Sequence, residues 1–152
     1  MGRLFAALDQ VAVALWAGGL WTVGYLVAPL LFLKAPDRQV AGHLAGQMFA
    51  AMTFVGLGCA VYLLVFRLAR QGVAAMKQAV FWVIVLMAVL AVAGHFGVQP
   101  ILASLKAQAL PREVMETVFR DRFATWHGVA SILYLIESVL AVALVLLAGR
   151  RG

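Results

Sequence analysis

Charge is what this sequence has least of. Asp, Glu, Lys and Arg make up 12% of its 152 residues, about half the share of an ordinary soluble domain. A soluble chain of this length must cover its outside with polar groups, and a sequence that is 65% hydrophobic cannot do so. Cys59 is the single cysteine, which rules out an intrachain disulfide or a Cys-rich metal motif. Within its apolar run it reads as a small buried residue. No phosphate loop, dinucleotide fingerprint or nucleophile–base motif appears, so nothing in the sequence argues for an enzyme.

Long apolar runs fill the space that charge leaves. They span residues 11–33, 44–66, 79–102 and 125–148 and hold one carboxylate between them, Glu137. A hydrocarbon core of about 30 Å needs about 20 helical residues, and each run meets that length. The expected fold is all-α: one integral membrane domain over residues 1–152, a four-helix bundle built from two helical hairpins. The twelve Lys and Arg residues, Arg67 among them, read as lying between or beyond the spans. The net charge of +6 then speaks for snorkelling anchors and anionic lipid, not for nucleic acid. The first run is longer than a signal-peptide core and has no Ala-x-Ala exit, so it reads as a retained span.

Four spans put both termini on one side, side A, together with the connection at residues 67–78. Basic residues divide six to six between side A and the opposite side B. Those on side A hug the span ends, which leans towards a cytoplasmic side A in a multi-pass cell-membrane protein (the inner membrane, if bacterial). On side B, Pro111 can open a helix. Val114, Met115, Val118, Phe119 and Phe123 then recur opposite Arg112, Glu113, Glu116 and Arg120, an amphipathic interfacial helix before the fourth span or a docking helix for a partner. Pro29 to Lys34 and Pro100 to Lys106 end the first and third spans alike, and each is followed by Pro, Arg and a Gly-flanked His. That pattern fits two hairpins related about the membrane normal. Gly18, Gly19, Gly24, Gly42, Gly46, Gly56, Gly58, Ala93 and Gly97 allow close helix approach within the bundle or between copies of a homo-oligomer.

Two groups of residues could carry chemistry. His43 and His127 are expected at matched depth inside side B, with His95 about 10 Å deeper and Gln47, Gln99 and Ser131 in the same half. Two histidines on two helices can hold a haem iron or a transition metal; they can equally bond headgroups, water or helix-end carbonyls. In the fourth span, His127, Ser131, Tyr134 and Ser138 share one helix face. Glu137 lies off that face near mid-membrane, where a carboxyl either carries a proton or pairs with a donor. It is a proton-accepting or cation-coordinating group, or else interhelical glue. Trp82 and Trp126 read as interfacial belt residues, and Trp16, Trp21 and Tyr25 as packing.

Several strings carry a family resemblance: Trp16-Ala-Gly-Gly19, Ala28-Pro-Leu-Leu-Phe32, Ala41-Gly42 with Gly46 and Phe49, Gln99-Pro-Ile-Leu102, and Phe123-Ala-Thr-Trp-His-Gly-Val-Ala-Ser131. They resemble the bacterial domain-of-unknown-function family 4149, which is similar to the eukaryotic transmembrane protein 205, over nearly the whole chain. The resemblance implies a four-helix membrane protein, and the link of the eukaryotic relatives to platinum-drug resistance hints at metals. More remotely, the hairpins are similar to the copper-resistance D and HemJ-type membrane proteins, in which histidines and haem matter. His127, Gly128 and Ser131 are the matching positions; the family's Leu-Asn after that Ser is Leu133-Tyr134 here. Three functions follow: a haem or metal binder using His43, His127 and His95, a small oligomeric carrier or proton-coupled exporter using Glu137, and a non-catalytic membrane partner or scaffold.

Overall fold

The computed structural model describes residues 2–108 and 116–149, with side chains over 4–105 and 120–149. The first span is one rod made of α1 (Gly2–Trp21), a wider π-helical stretch (Thr22–Val27) and α2 (Ala28–Lys34). α3 (Arg38–Gln71) forms the second. The third repeats the first: α4 (Ala79–Val92), a π-helical stretch (Ala93–Val98) and α5 (Gln99–Gln108). α6 (Glu116–Gly149) is the fourth. No strand occurs among the described residues. α1 and α4 each pack against both α3 and α6, an up-down-up-down square.

Among the described residues, four helices are long and apolar enough to cross a membrane: Leu4–Lys34, Arg38–Lys77, Ala79–Leu105 and Arg120–Gly149. Large apolar side chains such as Leu15, Val61, Val89 and Val139 face outward from every one of them. In water such a surface would aggregate; in lipid it is the matching solvent. The chain is a multi-pass membrane protein.

Local chemistry sets the helix ends. Asp37 caps α3 by accepting from the Val40 N–H at 2.8 Å, and Pro36 before it cannot extend α2. Gly72 ends α3 at φ 56°, a conformation that costs any residue with a Cβ. Each π-helical stretch is followed by a helix with proline as its second residue, Pro29 or Pro100. A proline lacks the N–H and crowds the carbonyl four residues back, and a widened turn relieves both. The two hairpins thus share the same irregularity at the same place. The expected amphipathic helix at 111–123 falls partly outside the described residues. Its residues 116–123 are the opening turns of α6, continuous with the span.

The core gathers in the side-A half, where Trp16, Leu63, Ile84, Met87 and Leu144 are fully enclosed around Ala60 and Ala141. Cys59 is buried there too. Arg67 corrects the sequence reading: it is not an anchor beyond the second span but lies inside the bundle, 3% exposed, bonded to Asp9 of α1 at 3.1 Å. A buried guanidinium needs a counter-charge, and Asp9 enters from a neighbouring helix to supply it.

Candidate functional site

The polar chemistry of the bundle interior concentrates on the seam between α1 and α6. Glu137 is 7% exposed, and the indole N–H of Trp16 is the side-chain donor that faces it. Trp16 is held there by geometry: it is 1% exposed, and its ring lies against Gly56 of α3 so closely that a Cβ at that position would overlap it. Among the described residues no Lys or Arg pairs with Glu137, the ion pair being Asp9–Arg67. Among the described residues the carboxyl therefore has no counter-charge when it ionises.

Two cross-helix hydrogen bonds bracket it. The Trp21 indole donates to the Ser138 carbonyl at 3.2 Å, and the Tyr134 hydroxyl donates to the Leu20 carbonyl at 2.5 Å. Tyr134 lies over Gly24, where a Cβ would strike its ring. It also meets Phe49 and Tyr25 edge-on, with centroids 5.1 and 6.2 Å away. Ser138 and Ser131 turn back to their own helix, donating to the carbonyls of Tyr134 and His127, a common way for a hydroxyl to satisfy itself in a helix. The shared face of the fourth span is thus built from Tyr134 and Ser138 at the seam, with Ser131 and His127 exposed.

An apolar groove of about 420 Å³ runs between α1 and α6 on the side-A half. Val13, Ala14 and Ala17 form one wall, Val145 and Ala148 the other, and Trp21 closes the inner end. Gln10 and Gly149 both border it, so the start of α1 and the end of α6 meet at one end of the bundle.

The histidines have separate surroundings. His43 is exposed and its Nε2 lies 3.1 Å from the Gln47 amide one turn along α3. His127 is exposed and stacks on Phe123 of its own helix. His95, in the π-helical stretch of the third span, sits between Phe54 and Phe96 at 5.1 and 4.8 Å. Gln99 is half-buried one turn further on. Among the described residues no group of three or more His, Cys, Asp or Glu is arranged to hold a metal ion.

Two features escaped the sequence reading. The Asp9–Arg67 pair joins residues 58 apart, and its one sequence clue is that both stand near side A. Trp16 as the partner of Glu137 has no local signal, since helical spacing places a ring in the core without naming its neighbour across the bundle.

Comparison with known proteins adds the family and little else. No curated protein matches the chain, and no solved structure does. A family profile, Domain of unknown function (DUF4149), matches residues 11–111. The match takes in the first three spans with both prolines and stops short of the fourth, so His127, Ser131 and Glu137 lie beyond it. With two thirds of its length matched, the chain belongs to the DUF4149 family.

Proposed function

We propose that the protein is a small membrane carrier that exchanges a proton at Glu137 for its cargo, working as an assembly of more than one copy. One observation supports this most: a carboxyl enclosed in the bundle with an indole N–H beside it and no basic partner among the described residues. Structural glue needs no ionisable group, and an intramembrane acid is costly enough to mark a working site. The requirement for more than one copy follows from size, because four helices are few for alternating access. Haem or metal binding by His43, His127 and His95 asks for ligands that converge on one centre. The exposed His43–Gln47 and Phe123–His127 pairs and the phenylalanine-flanked His95 give it less support.

The test is proton uptake by vesicles that hold the reconstituted chain, a pH-sensitive dye and an internal load of one candidate cargo at a time, metal ions and organic cations among them, started by dilution into cargo-free buffer. Flux above that of empty vesicles, lost in Glu137→Gln, is the expected result. Equal flux in wild type and variant would sink the carrier reading.

A further inference from the structure

What displaces the proton from Glu137 is specified by its surroundings. We propose that the α1–α6 seam binds a lipophilic organic cation, with Glu137 as counter-ion and Trp21, which lines the groove, as aromatic wall. This rests on the carrier reading and names its cargo class.

The donor set separates organic from inorganic cations. A hard metal ion needs several oxygen ligands to replace its hydration shell. Around Glu137 the oxygens are already engaged: the Ser138 hydroxyl with Tyr134, the Ser138 carbonyl with Trp21, and the Leu20 carbonyl with Tyr134. What remains at the inner end of the groove is one carboxyl and the ring of Trp21. Ring faces attract cations that carry little hydration, such as quaternary ammonium and phosphonium groups.

Access fits the same ligand. The groove of about 420 Å³ is walled by Val13, Ala14, Ala17, Val145 and Ala148 and ends at Trp21, whose indole bonds the residue next to Glu137. Such walls offer nothing to a hydrated ion and a good surface to an alkyl or aryl cation. Among the described residues, the charged groups near the groove mouth are Asp9, beside Gln10, and the Arg67 that it pairs with. As a pair they are neutral, so they do not repel an arriving cation. Tyr134 stands within electrostatic reach of Glu137 on the same helix. The step balances: the cation enters, the Glu137 carboxyl releases its proton to water, and a carboxylate–cation pair remains. No bond to carbon forms and no electron moves.

The experiment uses the full chain in detergent, titrated with tetraphenylphosphonium in weakly buffered solution. Tryptophan fluorescence and proton release are followed together. Expected are saturable quenching and about one proton released per cation bound, as linkage requires when one acid is displaced. Both signals vanish in Glu137→Gln, and Trp21→Leu weakens binding about tenfold, as loss of one cation–π wall should. Tetraphenylborate, of the same shape and opposite charge, gives neither signal. Equal quenching by both ions would reduce the groove to a greasy surface and overturn the proposal. So would proton release by zinc but not by the phosphonium, which would make the site a metal centre. Should Glu137→Gln fail to fold, Trp21→Leu and the cation–anion comparison still decide. Glu137-dependent vesicle flux without phosphonium binding would leave the carrier standing and remove the cargo; the converse would keep the site and remove the carrier.

Discussion

Single side chains decide whether the seam holds together. Gly56 leaves the room that Trp16 fills, and a methyl group there would push into the indole. Gly56→Ala is therefore expected to lower stability by about 1–3 kcal/mol, the usual cost of overpacking. Gly58 has nothing near its missing Cβ, so Gly58→Ala should be neutral or stabilise by up to about 1 kcal/mol through helix propensity. Denaturation in mild detergent checks both; equal effects would show that Trp16 is not seated against Gly56. The Asp9–Arg67 pair makes a second case. Breaking a buried pair costs about 3–5 kcal/mol, less where one partner is partly wet, and Asp9 is 23% exposed. Asp9→Leu should lower the unfolding temperature more than the double variant Asp9→Leu with Arg67→Met, because the double change leaves no buried charge. At this scale Glu137 was legible and Arg67 was not, for one reason. A carboxylate in the middle of an apolar run has no other place to go, whereas a basic residue at the end of one can point either out to lipid headgroups or in to a partner. Which it does depends on an acid 58 positions away, and composition says nothing about that.

At the level of elements, the first and third spans are bent to the same plan. A π-helical stretch precedes a proline in each, and each stretch carries a residue of interest: Gly24, which makes room for Tyr134, and His95, flanked by Phe54 and Phe96. Restoring the missing N–H removes the reason for the wider turn. Pro100→Ala should let residues 93–98 close into ordinary α-helix and slow their amide hydrogen exchange, while leaving residues 22–27 unchanged. Pro29→Ala should do the reverse, and it should also loosen Tyr134, because tightening the turn rotates Gly24 away from its ring. If exchange at both stretches ignored both substitutions, the prolines would not be the cause of the wide turns. The existence and order of the four helices were readable from the length of the apolar runs alone, since lipid leaves the backbone few options. The π-helical turns were not, because a proline inside a span can be answered by a kink, a break or a wide turn. Only packing against the neighbouring helices selects among these.

For the whole molecule, the two halves of the bundle are built differently. The side-A half holds the enclosed core of Trp16, Leu63, Ile84, Met87 and Leu144 and the Asp9–Arg67 pair. The side-B half holds both π-helical stretches, the exposed His43 and His127, and a half-buried His95. The side-B place of the histidines was readable from span direction, but hydropathy reads the four spans as uniform rods, so the packed side-A core and the π-helical stretches were invisible until the spans were set side by side. Under the carrier proposal this asymmetry matters directly, because a carrier needs one region that holds its shape and another that yields. Glu137 sits at the boundary, facing Trp16 of the packed core and one turn from Tyr134, which lies against Gly24 of the π-helical stretch. Local opening should follow the same division. In detergent, amides around residues 12–17, 59–63, 80–87 and 141–144 should exchange most slowly, and those at 22–27 and 93–98 fastest among the spans. Met87→Ala, which empties a fully enclosed site, should cost about 2–5 kcal/mol and should destabilise the protein well beyond Leu102→Ala on the third span's side-B half. Slowest exchange on side B, or equal cost at the two sites, would mean that the packed half is not the rigid one. Glu137 would then have no stiff frame against which to work.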